Sequence, residues 1–185
     1  NIANFLNSPS TGNDPYGALY SGIQRANIVL RYIDQIPASG ITEEDRSMIK
    51  GEALFLRGYQ YFLLVNNYKE VPLRLIPSNE DETNKAAATE AALWAQVEED
   101  LDNAIKCNLP VERSTAKERI TKGAAIAMLG KVYATQHKYP EAKQLLGTLL
   151  KAPYSYELMD NFEKNFTNEE EFNKESVFEL AYSPD

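Results

Sequence analysis

Four carboxylates crowd one short stretch of this chain: Glu98, Glu99, Asp100 and Asp102. Paired carboxylates can share acid–base work or hold a divalent cation. On a helix the same crowding usually marks a solvated face, and that is the expectation here. Glu169, Glu170 and Glu171 read in the same way, as a solvated loop. His137 is the only histidine, which excludes a multi-histidine metal site. It is expected in the last turn of a helix, where the dipole favours a cation. Cys107 is the only cysteine, so no intrachain disulfide can form. No histidine lies near it in sequence, and it is expected to be inert. The chain has no glycine-rich phosphate loop, no Gly-x-Ser-x-Gly elbow and no His-Glu-x-x-His pair. No catalytic residue, metal ligand or cofactor is therefore expected.

The remaining chemistry is binding. The sequence holds 11 tyrosines and one tryptophan, and exposed aromatic faces can stack on a ring-shaped ligand. Tyr59, Tyr61, Phe62, Trp94 and Tyr133 fall at helical spacing, which predicts that they serve the core. Tyr16 and Tyr20 lie beside the polar residues 7–14, at a helix start. Asn13, Asp14 and Tyr16 are accordingly the candidate ligand-binding set. Arg57 lies in mid-helix between apolar stripes, so it needs a carboxylate or carbonyl partner and reads as structural.

Composition narrows the partners. With 43% hydrophobic and 25% charged residues the chain reads as globular. A net charge of −8 argues against nucleic acid, whose phosphates need Lys and Arg. No apolar run approaches the ~18 residues of a membrane-spanning helix, and no secretory leader or lipidation cysteine is visible at Asn1.

The elements follow from punctuation and periodicity. Asp14-Pro15 opens a helix over 14–36, stopped by Pro37 and Gly40. Thr42 opens a second helix over 42–67, with Asp45 in the glutamate place of a capping box. Pro72 forces Val71 to be extended, and the polar residues 77–88 read as an exposed connection. Further helices are predicted over 89–108, 121–137 and 140–151, and a strand-like segment over 176–182. Leu129, Gly130, Tyr133, Tyr139 and Ala142 have the spacing of a tetratricopeptide helix pair, whose period is ~34 residues. Gly58 and Tyr61 recur 72 residues later as Gly130 and Tyr133, roughly two such periods. The predicted fold class is all-α, with tetratricopeptide-like helical repeats over residues 1–185. Residues 14–67 form the first pair, 89–137 the second, and 140–185 the start of a third with an irregular tail. Repeats stack to build binding surfaces.

The stretch Gly51-Glu52-Ala53-Leu54-Phe55-Leu56-Arg57-Gly58-Tyr59-Gln60-Tyr61-Phe62, followed by Val71-Pro72-Leu73, resembles the hallmark helix and turn of the SusD/RagB proteins. Tyr20-Ser21-Gly22-Ile23-Gln24-Arg25-Ala26-Asn27 is similar to that family's first repeat helix. Trp94 with Glu99-Asp100-Leu101 resembles its third, Arg119-Ile120-Thr121-Lys122-Gly123 the entry to its fourth, and Glu175-Ser176-Val177-Phe178 a later segment. Lys69-Glu70 replaces the usual Gly-Asp. The resemblance implies a glycan-binding lipoprotein, surface-exposed on the outer membrane, that works with a SusC-like TonB-dependent transporter in polysaccharide uptake. It implies an oligosaccharide ligand, no cofactor and no catalysis. Membrane attachment would be only through an N-terminal lipid anchor outside this chain.

Family members are much longer, so the chain is expected to be an N-terminal portion. Alone it should bind glycan weakly or not at all, and it should leave an apolar surface open near its C-terminal end. The alternative is a helical-repeat scaffold for a protein or peptide partner. The Gly51 to Leu73 block favours the glycan reading.

Overall fold

A computed structural model of the chain describes residues 14–81 and 83–180. Its helices are α1 (Pro15–Tyr32), α2 (Glu43–Tyr68), α3 (Glu90–Lys106), α4 (Lys122–Thr135) and α5 (Tyr139–Leu146). Short 3-10 turns extend α1 and α5 and punctuate the tail. The fold is all-α, as its periodicity predicts. Among the described residues the only β pairing is an isolated bridge between Pro72 and Ala87.

Local chemistry sets the helix starts. Thr42, Thr89 and Thr121 each accept the amide N–H three residues on, at 3.1, 3.3 and 3.1 Å. Each thus satisfies one amide that a helix start leaves orphaned. The Thr42–Asp45 pair departs from a capping box. The Thr42 hydroxyl donates to Asp45 Oδ2 at 2.7 Å, because the aspartate side chain is a methylene shorter than glutamate.

Each helix packs on the next in the chain. Tyr16 meets Tyr68 and the space beside Gly22 is filled by Gln60, so α1 and α2 run antiparallel. Cys107 beside Gly51, Leu101 beside Gly58 and Trp94 beside Phe62 give the same sense for α2 and α3. The core lies along these seams. Phe55, Tyr61, Leu64, Leu93, Val97, Leu101 and Val132 are fully or almost fully buried, and each large apolar side chain so placed contributes about 1.5–3 kcal/mol.

One expectation is corrected and one is extended. The segment 176–180 forms no strand; Phe178 instead packs edge-on against Phe55, 5.2 Å between centroids. Among the described residues no neighbouring strand offers it a ladder. Residues 181 and 182 lie outside the described residues. The α2–α3 connection is exposed at Ser78, Asn79, Glu80, Thr83, Asn84, Ala86 and Ala87, as expected, yet it is tethered. Asn27 donates to the carbonyls of Arg74 and Ile76 at 3.0 and 3.1 Å, and Gln24 accepts from the Ser78 amide. Arg31 and Tyr32 hold Glu80, and the Asp81 carboxylate is buried between Arg74 and Lys85. Residues 71–81 form a strap pinned to α1 and α2.

Candidate functional site

At the head of α1, Asp14 accepts the Gly17 amide at 2.9 Å and caps the helix. Tyr16 is half-buried, 4.9 Å from Tyr20 and 5.0 Å from Tyr68 between ring centroids. The Tyr20 hydroxyl donates to the Pro72 carbonyl at 2.6 Å. Burial, reinforced by a hydrogen bond with Tyr16, pushes that hydroxyl well above the ordinary tyrosine range. The strap therefore fixes Tyr20, and Tyr20 with Tyr68 fixes Tyr16. Of the three sequence candidates, Asp14 caps α1 and Tyr16 packs on Tyr20 and Tyr68. Asn13 lies outside the described residues.

A buried polar network joins α1, α2 and α3. Arg57 donates through Nε and Nη2 to the two carboxylate oxygens of Asp100 at 2.8 and 2.7 Å. Its Nη1 donates to Asn27 Oδ1 at 2.9 Å, and Gln96 donates to Asp100 Oδ1 at 3.0 Å. Asp100 is 1% exposed and Arg57 8%. Arg57 thus has the carboxylate partner that its mid-helix place demands. The same contacts correct the reading of the acidic run as one solvated face. Asp100 shares the buried stripe of Leu93, Val97 and Ala104, whereas Glu98 reaches Gln136 and Lys138, and Asp102 pairs with Lys106. The carboxylates diverge and face no common substrate space. Among the described residues no group of three or more His, Cys, Asp or Glu is arranged to hold a metal ion.

The lone histidine and the lone cysteine lie apart from these networks. His137 lies beyond the end of α4 in a positive-φ turn, beside the Tyr139 hydroxyl at 2.7 Å, and not in the helix's last turn. Cys107 ends α3, and burial raises its thiol, which disfavours the nucleophilic thiolate. No described helix is long and apolar enough to cross a membrane.

A protein-family profile described as SusD-like, starch-binding and associating with the outer membrane matches residues 4–134. A laminarin-binding SusD-like protein of known structure is 34% identical, with a TM-score of 0.81 over 89% of this chain and 36% of its own. A SusD superfamily protein from Bacteroides vulgatus is 33% identical, with a TM-score of 0.80 over 91% of this chain and 37% of its own. A SusD-like protein from Bacteroides fragilis is 29% identical, with a TM-score of 0.79 over 93% and 34%. Comparison with curated proteins gives no match. The chain spans little more than a third of the length of these solved structures. Its helical framework and its profile match together show that the chain belongs to the SusD-like family.

Proposed function

We propose that this chain is the helical portion of a longer glycan-binding lipoprotein, exposed at the outer-membrane surface, which captures oligosaccharide for a TonB-dependent transporter. The observation that supports it most is the likeness, over nine-tenths of the chain, to a laminarin-binding protein of the same family. The head of α1 offers the matching chemistry. A half-exposed tyrosine held by two others loses little conformational entropy on stacking against a sugar ring, and the Asp14 carboxylate caps the same helix start. In the longer polypeptide, Tyr16→Ala should weaken binding of a neutral β-glucan oligosaccharide at least about tenfold by calorimetry, close to 1.4 kcal/mol. Unchanged affinity in a folded variant would move the site away from α1.

A protein-binding role has one observation in its favour. Leu150, Leu158, Phe162 and Phe166 are each more than 70% exposed, and apolar side chains in such numbers mark contact surfaces. In this proposal they meet the transporter or the remainder of the longer polypeptide, so the scaffold reading becomes part of the glycan reading.

A further inference from the structure

A cleft of about 340 Å3 opens between the α3–α4 connection, the segment after Pro153 and residues 172–179. That volume falls at the small end of ligand sites. One wall is aromatic. Tyr154 and Tyr156 flank the exposed Ser155, and their rings lie 6.1 Å apart with planes only 11° from parallel. The first turn of α4 is shaped to receive this wall. A Cβ at Gly123 would lie 2.9 Å from Tyr156 Cζ, so only glycine leaves room for the ring. Thr121, which caps the same helix, also lines the cleft.

The cationic side chains around the cleft are already engaged. Arg113 and Arg119 both bind Glu52, at 2.5 and 2.7 Å, and Lys174 faces Glu157 and Asp160 at 3.4 and 3.6 Å. What remains on the lining is Lys117 against Glu112 and Glu179. A paired aromatic wall without excess positive charge suits an uncharged ring that carries hydroxyls at its edge and C–H groups on its face. An anion finds no unpaired cationic cluster there.

We infer that this cleft is a carbohydrate subsite, separate from the head of α1, in which Tyr154 and Tyr156 stack the face of a neutral pyranose. The inference rests on the glycan-binding reading for its ligand class and on the cleft alone for its place. It is tested by titrating the 15N-labelled 185-residue chain with a neutral glucose hexasaccharide and, separately, with an oligogalacturonate. The neutral sugar should shift the amides of Thr121, Lys122, Tyr154, Ser155 and Tyr156, with a dissociation constant on the order of millimolar. Tyr154→Ala should weaken this at least about tenfold, while Tyr156→Phe, which keeps both rings, should retain it. The dispersion of each variant's amide spectrum checks that it is folded. Shifts confined to Tyr16, Tyr20 and Tyr68 would overturn the cleft and leave the proposed function standing. Shifts in the cleft with none around Tyr16 would support the cleft and count against the α1 site. A response to the acidic sugar alone, or no shift at the cleft, overturns the inference.

Discussion

Asp100→Ala should lower the stability of the fold by about 3–5 kcal/mol, the usual result of removing one member of a buried ion pair. The carboxylate is 1% exposed and accepts three side-chain hydrogen bonds, two from Arg57 and one from Gln96. Its loss leaves a guanidinium in the core with Asn27 Oδ1 and the Leu75 carbonyl as its remaining partners. Because Arg57 and Asn27 also hold the strap at Leu75, Arg74 and Ile76, the damage should spread to α1. Amide exchange should therefore quicken over residues 71–81. Replacing both members with apolar residues should cost much less, since no charge is stranded. Urea denaturation of the single and double variants measures both. A single-variant loss below about 1 kcal/mol would mean that the pair is solvated.

The second large effect belongs to Gly58. A Cβ there would lie 3.1 Å from Leu101 Cγ and 3.3 Å from Asp100 Cβ. Both neighbours are buried and cannot swing aside, so Gly58→Leu should reach the upper end of the overpacking range, about 3 kcal/mol. Gly130 is closer to its neighbour on paper, 2.5 Å from Leu146 Cγ. Leu146, however, is 36% exposed and can rotate towards solvent. Gly130→Leu should therefore cost only about 1 kcal/mol. Denaturation midpoints in the reverse order would place the tight crossing at α4–α5 and not at α2–α3.

The contrast between these glycines shows what the sequence carries. The recurring Gly-x-x-Tyr pattern locates both crossings, because small residues at helical period are a local signal. It does not reveal which neighbour is trapped, since that depends on a helix some 40 residues away. Helix starts at Thr42, Thr89 and Thr121 are legible for the same local reason. Arg57 shows the boundary. Its place between apolar stripes demands a partner, yet Asp100 is masked by the acids around it. Counting in helical steps from Leu93 and Val97 would have put Asp100 on the buried face. The strap is hard to read because many of its ties run to the backbone carbonyls of Pro72, Arg74, Leu75 and Ile76, which no side-chain pattern reports. A polar run reads as solvated unless the polar stripe Tyr20, Gln24, Asn27 and Arg31 on α1 is recognised as its docking face. At the candidate site, the tyrosine-rich helix start was visible. The anchoring of Tyr20 by Pro72 and the Tyr154–Tyr156 wall depend on contacts across the fold.

The central proposal is that the longer polypeptide holds glycan without altering it. Calorimetric titration of the longer polypeptide with a neutral β-glucan oligosaccharide, followed by chromatography of the recovered sugar, tests this most directly. Saturable binding with the oligosaccharide returned at its original length is the predicted result. Shortened products accumulating with time, or no heat of binding across neutral glycans, would contradict the account.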